Sequence, residues 1–227
     1  MSDSNKAVVL LSGGMDSLVV MAYVHSLKKD IYALHLSYQQ NTAEKEKECF
    51  NKICDHYQIS QDKREIIDIS FLSKIGGSSL TDKSMNVTDF AGDSDEIPSS
   101  YVPFRNTHIL SMAVSLAEVK GADNIYIGAN YEDSPGYPDC RPEYYDAFNN
   151  LVQKGTKEGT IKVHTPVIMD KKDEIIQKGI ALNAPFELSW SCYKASDKAC
   201  GKCDSCALRL RGFKKVGMDD PISYQGE

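Results

Sequence analysis

The sequence feature that most constrains the fold is a regular alternation of short apolar runs with helical patterns. The first run, residues 7–11 (AVVLL), is continuous, as expected for a strand buried on both faces of a parallel sheet. This run, the helical segment after it and the next run together span about 30 residues, which is the length of a βαβ unit. The predicted strands are 7–11, 31–38, 65–69, 124–128 and 161–165, and the predicted helices are 18–24, 43–57, 107–119, 142–152 and 171–179.

This order of elements predicts the α/β fold class, with a Rossmann-like parallel sheet and helices on both faces. We divide the chain into an α/β domain over residues 1–184 and a small zinc-binding appendage over 185–227, where the cysteines cluster. The last predicted helix is expected to end at Gly179, because glycine favours helix C-termini. Residues 73–100 show little periodicity, and we interpret them as a mobile surface loop or as an active-site lid.

The composition narrows the classes of function. The chain of 227 residues has 26 Lys and Arg against 32 Asp and Glu, which gives a formal net charge of -6. This balance disfavours a protein whose whole surface binds nucleic acid, since phosphate binding needs a basic face. We find no apolar run of about 18 residues and no signal peptide, so we expect a cytoplasmic protein without membrane contact.

A glycine-containing turn lies between the first predicted strand and the first predicted helix. Its sequence, LSGGMDS over residues 11–17, lets the backbone approach a ligand closely, because glycine has no Cβ. The N–H groups of the following helical turn point at such a ligand, and the helix dipole favours an anion there. Neither a Walker loop nor the G-x-G-x-x-G of dinucleotide-binding folds is present. We therefore predict a phosphate site, with a plain strand-to-helix turn as the alternative.

Four of the seven cysteines cluster near the C-terminus, and the last three form two overlapping C-x-x-C units; the cluster comprises Cys192, Cys200, Cys203 and Cys206. Four thiolates in this spacing can enclose a tetrahedral structural Zn²⁺, which is the metal that we predict. An iron–sulfur cluster is the competing interpretation. Nearby basic residues would offset the thiolate charge, lie free in solvent, or form a small nucleic-acid patch: Lys194, Lys198, Lys202, Arg209 and Arg211.

In its glycine turn the sequence resembles the N-type ATP pyrophosphatase (PP-loop) superfamily, whose members carry S-G-G-x-D-S after the first strand. The resemblance implies a fold of the adenine nucleotide α-hydrolase type, ATP binding, cleavage between the α- and β-phosphates, and an adenylated acceptor. It places ATP binding at Leu10, Leu11, Ser12, Gly13, Gly14, Met15, Asp16 and Ser17. Asp16 would help to hold Mg²⁺, or would be the N-cap of a helix that begins at Ser17.

Three further strings make the resemblance more specific. They are VPFRN at 102–106, GANYEDSPGYPDCR at 128–141, and SWSCY at 189–193, which leads into the cysteines. With the glycine turn, they resemble the QueC family of 7-cyano-7-deazaguanine synthases over residues 7–213. The resemblance implies a ligase that converts 7-carboxy-7-deazaguanine, ammonia and ATP to the 7-cyano compound, on the route to queuosine. Adenylation would activate the carboxylate for ammonia, and a second activation would turn the amide into the nitrile.

Residue roles follow from side-chain chemistry. We assign catalysis to Asp16, Ser17, Arg105 and Arg141, and substrate binding to Arg105, Asn106, Tyr137, Asp139 and Arg141. The two guanidinium groups match phosphate or carboxylate oxygens. The Asp139 carboxylate would accept the N–H donors of a guanine-like edge, and Tyr137, Tyr101 or Phe104 would stack on the ring. Surface ion pairs and simple packing are the alternatives for these side chains.

Several other side chains are given weaker roles. His35 and Gln40 lie at the end of the second predicted strand and are candidates to contact the nucleotide, with a buried structural histidine as the alternative. Cys140 is not assigned as a nucleophile, because adenylation with ammonia needs no thiol. Cys49 and Cys54 lie in a helical pattern and are expected to be buried apolar residues.

Two other functions are weighed against the ligase. A tRNA-modifying PP-loop enzyme is disfavoured by an acidic chain with no added basic domain. A zinc-stabilised nucleotide-binding module without turnover is disfavoured by the intact glycine turn and substrate strings. We expect the small-molecule substrate and ammonia as partners, no direct contact with nucleic acid, and a homodimer.

Overall fold

The computed structural model describes residues 5–82, 84–90, 92, 97–131 and 137–226. Its sheet has five parallel strands, in the order β3-β2-β1-β4-β5. The strands are β1 (Lys6–Leu10), β2 (Asp30–Ser37), β3 (Arg64–Asp68), β4 (Asn124–Ile127) and β5 (Lys162–His164). The predicted α/β class with a parallel sheet is therefore confirmed.

Helices cover both faces of this sheet, as predicted. They are α1 (Met15–Ser26), α2 (Ala43–His56), α3 (Phe71–Ile75), α4 (Arg105–Lys120), α5 (Pro142–Gly155), α6 (Lys172–Ala181) and α7 (Asp204–Lys215). Successive β1 residues alternate between two cores: Ala7 and Val9 pack with α1, α2, α6 and α7, whereas Val8 and Leu10 pack with α4 and α5. Burial on both faces explains why β1 is apolar throughout.

The order of the strands determines where a ligand can bind. From β1 the chain moves outward to β2 and β3, then returns to place β4 on the other side of β1. The direction of strand addition therefore reverses between β1 and β4. In open parallel sheets, this reversal leaves a crevice at the carboxyl ends of the strands. The glycine turn follows β1 and so lies at that crevice.

One expectation about the helices is wrong, and helix α7 was not among those expected. Helix α6 does not end at Gly179 but continues to Ala181. Gly179 is needed for packing instead: a Cβ there would lie 2.3 Å from the Phe186 ring and 2.9 Å from Val19. Helix α7 was not predicted, because its apolar positions are few; Gly212 lets it approach α6, where a Cβ would come within 2.8 Å of Ile176.

The segment over 73–100 is tied to the rest of the molecule at several described points. The Asn41 side-chain amide donates to the Ser79 carbonyl over 3.3 Å, and the Phe90 N–H donates to the Lys202 carbonyl over 2.8 Å. Residues 83, 91 and 93–96 of this segment, and 132–136 of the second string, lie outside the described residues. Within the described ranges, no helix is long and apolar enough to cross a membrane. The domain boundary after residue 184 stays a prediction.

Candidate active site

A cavity of about 260 Å³ lies where β1, β2 and β4 end. Most of the residues predicted to form the site line it: Leu10, Leu11, Ser12, Gly14, Met15, Asp16, Ser17, Arg105, Asn106 and Tyr137. The glycine turn and the residues of the substrate strings, which are about 90 residues or more apart in sequence, therefore share one cavity. Their roles in binding or catalysis stay predictions.

Two glycines at the site leave no room for a side chain: Gly13, in the glycine turn, and Gly128, which packs against the start of α1. Gly13 has a φ of +90°, and a Cβ there would lie 2.5 Å from the Glu46 carbonyl oxygen. Gly128, after β4, passes so close to α1 that a Cβ would lie 2.8 Å from the Ser17 nitrogen. The Ser12 hydroxyl accepts from the Gly14 N–H over 3.2 Å and lies 3.0 Å from the Ser17 hydroxyl. The turn is therefore shaped before any ligand arrives.

Asp16 is not the N-cap of α1, which corrects one of its two expected roles. The helix begins at Met15 with Gly14 as its N-cap, so Asp16 is in the first turn. Its Oδ2 accepts a hydrogen bond of 2.6 Å from Lys172 Nζ, and the two side chains are 17% and 8% exposed. Its Oδ1 is buried and has no hydrogen-bond partner among the described residues.

Lys172 is a site residue that the sequence analysis missed. It is the first residue of α6, it is buried, and it lines the cavity beside the glycine turn. A buried lysine requires a partner, and Asp16 is that partner. The only sequence signal is its place in a Lys-Lys pair before a helix, and such pairs are usually solvated.

The opposite part of the cavity contains aromatic side chains and a guanidinium group. Arg105 Nη1 donates to the Tyr38 hydroxyl over 2.9 Å, and its guanidinium carbon lies 5.6 Å from the centre of that ring. The Tyr137 hydroxyl lies 2.8 Å from that of Ser100, and the Tyr101 ring is tilted against it at 5.3 Å. Burial raises the pKa of Tyr137 to about 12, so its phenol stays protonated at neutral pH.

Two predicted substrate residues do not line the cavity. The Asp139 carboxylate accepts the Asn106 N–H over 3.0 Å and so caps the start of α4. The Asn106 amide also donates to the Asp139 carbonyl over 2.9 Å and to the Cys140 sulfur over 3.4 Å. Arg141 is exposed at the N-terminus of α5. The structure therefore brings Arg105, Asn106 and Tyr137 together at the cavity and leaves Asp139 and Arg141 outside it.

Neither His35 nor Gln40 lines the cavity. His35 is buried, and its Nδ1 lies 3.1 Å from the Leu11 carbonyl oxygen. Burial lowers the pKa of His35, so the ring is neutral and donates from Nδ1. Gln40 donates through Nε2 to Glu46 Oε2 over 2.7 Å. Glu46 lines the cavity itself and was also missed by the sequence analysis.

The four cysteines form a compact cluster. Their sulfur atoms all lie within 4.8 Å of one another, and those of Cys200 and Cys206 are 3.9 Å apart. Tetrahedral Zn–S bonds of about 2.3 Å would place sulfur atoms roughly 3.8 Å apart, so the cluster fits a metal ion. The Cys192 sulfur accepts N–H groups of Lys194, Ala195 and Cys200 over 3.3 Å each, as a thiolate would. The predicted four-cysteine cluster is therefore present, with its sulfur atoms close enough together to hold a metal ion.

Two of the basic residues expected to surround these cysteines form ion pairs with carboxylates. Lys194 forms an ion pair of 2.5 Å with Asp89. Arg209 is fully buried and donates to both oxygens of Asp220, over 2.7 Å and 2.9 Å. It also donates to the Ser189 and Ser191 hydroxyls. Carboxylates therefore offset these two charges. Cys49 and Cys54 are buried, as expected.

Replacing Arg209 with leucine is expected to lower the free energy of unfolding by about 3–5 kcal/mol, because it leaves the buried Asp220 carboxylate without its cation. Urea titration followed by circular dichroism measures this. The control, Arg211→Leu on the same helix, removes a guanidinium that is not fully buried and lies 6.0 Å from the Phe90 ring, so it should cost less than Arg209→Leu. Equal losses in the two variants would contradict the structural role of Arg209.

Solved structures with a similar fold support the architecture. The chain aligns with the U34-tRNA thiolase NcsA from Methanococcus maripaludis at a TM-score of 0.50 and 16% identity, covering 94% of this chain and 67% of that one. It aligns with NMN synthetase from Francisella tularensis at a TM-score of 0.51 and 16% identity, covering 95% and 79%. At these identities the likeness concerns the fold alone.

Comparison of the sequence with known families and proteins gives a more specific result than comparison of the fold. The family model described as "Queuosine biosynthesis protein QueC" matches residues 6–217. The 7-cyano-7-deazaguanine synthase of Chlorobaculum parvum (strain DSM 263 / NCIMB 8327) is 56% identical over 223 residues, which cover 97% of this chain and 96% of that protein. The synthase of Chlorobium chlorochromatii (strain CaD3) is 57% identical over 221 residues, with 97% and 96% coverage. The chain therefore belongs to the QueC family.

Proposed function

We propose that this chain converts 7-carboxy-7-deazaguanine and ammonia to 7-cyano-7-deazaguanine at the expense of ATP, as a C–N bond-forming ligase of queuosine biosynthesis. The observation that carries the proposal is a single cavity that joins the glycine turn and Lys172 to Arg105 and Tyr137. An anion-binding end and an aromatic end in one cavity suit a reaction between a nucleoside triphosphate and a planar carboxylic acid. Membership of the QueC family supports the same reaction.

The phosphates of ATP would lie at the N-terminus of α1. The N–H groups of the first helical turn and the helix dipole favour negative charge there, and the Ser12 and Ser17 hydroxyls add donors. The Lys172 ammonium lies beside this turn, 2.6 Å from Asp16. It would stabilise the charge that builds on the phosphate oxygens as pyrophosphate leaves.

Asp16 fits a role in holding Mg²⁺. Its Oδ1 is buried and unpartnered among the described residues, and Mg²⁺ prefers such carboxylate oxygens together with phosphate oxygens. When bound, the ion would neutralise phosphate charge. Lys172 holds Oδ2 of the same carboxylate and so orients Oδ1.

At the other end of the cavity, Arg105, Asn106 and Tyr137 would bind the acceptor. The Arg105 guanidinium matches a carboxylate or an α-phosphate, and its hydrogen bond to Tyr38 holds it in place. The protonated phenol of Tyr137, with the Tyr101 ring beside it, offers a surface on which a fused heterocycle can stack. For Asp139, the proposal is limited to positioning Asn106.

The reaction would proceed in two activations. A carboxylate oxygen attacks the α-phosphorus of ATP, and pyrophosphate leaves; ammonia then displaces AMP from the acyl carbon, and a proton is released with the amide. The amide oxygen attacks the α-phosphorus of a second ATP, and a second pyrophosphate leaves. Loss of AMP and of the two protons on nitrogen gives the nitrile. Both activations can use the same phosphate-binding turn if the amide stays bound.

We also propose that the metal at the cysteine cluster is Zn²⁺ with a structural role. Four sulfur ligands leave no open position for a substrate, as in closed structural zinc sites. The cluster is joined to the active site through Trp190, whose backbone N–H donates to the Gly13 carbonyl over 2.9 Å. Bound metal would therefore help to hold the glycine turn.

Mass spectrometry of a reaction with 7-carboxy-7-deazaguanine, ATP, Mg²⁺ and ammonium tests the proposed function. We expect the nitrile, AMP and pyrophosphate, and we expect their loss in the Asp16→Ala variant. An accumulating amide would restrict the enzyme to the first activation. No ATP-dependent product, or an electrophoretic shift of tRNA together with modification of that tRNA, would overturn the assignment.

A further inference from the structure

The cavity contains a carboxylate for which the reaction outlined above has no role. Among the described residues, two carboxylates line the cavity, those of Asp16 and Glu46. Asp16 is paired with Lys172, whereas Glu46 forms no ion pair with any lysine or arginine in the described part of the chain. A carboxylate at the wall of a cavity can accept hydrogen bonds from a bound ligand as well as from the protein.

Glu46 is held rigidly by neutral donors. Its Oε1 accepts from the Thr42 hydroxyl over 2.8 Å, and its Oε2 accepts from the Gln40 amide over 2.7 Å. Gln40 is oriented in turn, because its Oε1 accepts the Tyr38 N–H over 3.0 Å. Each carboxylate oxygen can accept about two hydrogen bonds, so each retains capacity for one more donor. The group is thus a preorganised acceptor pair at the wall of the cavity.

The surroundings of Glu46 place it between the two ends of the cavity. Its carbonyl oxygen lies so close to Gly13 that it leaves no room for a Cβ there, so its backbone contacts the glycine turn. Its side chain interacts electrostatically with those of Arg105 and Tyr38. An acceptor molecule whose carboxylate is directed at the α-phosphate, with its ring toward Tyr38 and Tyr137, would therefore pass in front of Glu46.

We propose that Glu46 is the residue that selects the guanine-type ring, by accepting the adjacent N1–H and 2-amino donors of the acceptor on its two oxygens. This inference rests on the proposed function. Two parallel N–H donors match a carboxylate, which has acceptors only. The corresponding edge of adenine presents one donor beside one acceptor, and that acceptor would face a carboxylate oxygen unfavourably. Glu46 therefore distinguishes the acceptor from the adenine of ATP in the same cavity.

This role is the one that the sequence analysis gave to Asp139. The structure uses the Asp139 carboxylate to cap α4 and leaves it outside the cavity lining. Burial raises the pKa of Glu46, while the hydrogen bonds from Gln40 and Thr42 act against this and favour the ionised form. The donors that hold the side chain in place therefore also favour the charge that the ring requires.

The test compares two acceptors in three forms of the protein. The acceptors are 7-carboxy-7-deazaguanine and its analogue without the 2-amino group. The proteins are the wild type, Glu46→Gln and the matched control Glu44→Gln, whose side chain is exposed in the first turn of the same helix. Steady-state kinetics give separate KM values for the acceptor and for ATP.

In the wild type, we expect kcat/KM for the analogue to be lower by about 10²-fold or more, because a site built for an N–H donor rejects a ligand without it. Glu46→Gln should raise KM for the natural acceptor about 10- to 100-fold and leave KM for ATP within about threefold. With the analogue, the increase in KM for the acceptor caused by Glu46→Gln should be less than about tenfold. Glu44→Gln should match the wild type with both acceptors.

Three results would overturn the inference: equal use of both acceptors by the wild type, an increase confined to KM for ATP, or the same loss with both acceptors in Glu46→Gln. The wild-type comparison does not depend on whether the variant folds. A wild type that makes no nitrile from 7-carboxy-7-deazaguanine would instead refute the proposed function, so the two failures are distinguishable.

Discussion

Replacing Lys172 with methionine is expected to lower kcat for pyrophosphate release by about 10²- to 10³-fold, the usual cost of removing one preorganised group that stabilises transition-state charge. Lys172 Nζ lies 2.6 Å from Asp16 Oδ2, beside the glycine turn, and its side chain is 8% exposed. Its charge is therefore poorly screened and would act strongly on the phosphates of bound ATP. The change would be measured as pyrophosphate release at saturating substrate concentrations.

A matched control is available in the neighbouring residue. Lys171 is exposed, and Lys171→Met retains the backbone N–H that donates to Glu174 Oε2 over 2.7 Å. We expect wild-type kcat for this variant. Methionine at 172 leaves the Asp16 carboxylate unpaired, so thermal melting should accompany the kinetics to show that the variant is folded at the assay temperature. A kcat for Lys172→Met within tenfold of the wild type would contradict a catalytic role for this lysine.

Loss of the metal is expected to have the largest effect on stability. The variant Cys206→Ala removes one of four sulfur ligands, and structural zinc sites contribute on the order of 10 kcal/mol to folding. We expect Tm to fall by at least about 10 °C and metal content, measured by inductively coupled plasma mass spectrometry, to fall well below one ion per chain. Zinc is the metal expected in the wild type.

Metal loss should also weaken ATP binding, because residues of the C-terminal segment line the cavity and contact the elements around it. The Trp190 backbone N–H donates to the Gly13 carbonyl, and α7 packs so closely on α6 that a Cβ on Gly212 would lie 3.0 Å from Lys172 Cβ. We expect ATP affinity to fall at least about tenfold in Cys206→Ala. The control is Cys54→Ala, which removes a buried thiol outside the cluster. Retention of metal and of ATP affinity in Cys206→Ala would contradict this coupling.

Local sequence was sufficient to predict the features that depend on the spacing of residues along the chain. Apolar runs of strand length separated by helices predict a parallel sheet, and that sheet is present. The C-x-x-C units bring sulfur atoms together within a few residues, so the cluster could be anticipated without knowledge of the fold. The end of α6 could not, because Gly179 serves contacts with Phe186 and Val19 that only the folded chain creates.

The side chains of the candidate active site also divide into those that local sequence could predict and those that it could not. The glycine turn was recognisable because its signature consists of consecutive residues placed directly after β1. Lys172 was not recognisable, because its partner Asp16 is 156 residues away in sequence. Glu46 was overlooked because it lies in a charged helix, where most such residues face solvent, and Asp139 was preferred because it stood in a distinctive string.

The sequence by itself determined the fold class, the glycine turn, the four-cysteine cluster and, through its strings, the family. Only the tertiary structure decided which charged groups share the cavity: Lys172 and Glu46 lie there, whereas Asp139 and Arg141 do not. The physical reason is how far apart in sequence the interacting residues lie. Strand and helix periodicity and short ligand spacings are encoded within a few residues, whereas the burial and pairing of a charge depend on strand order and on helices packed from distant parts of the chain.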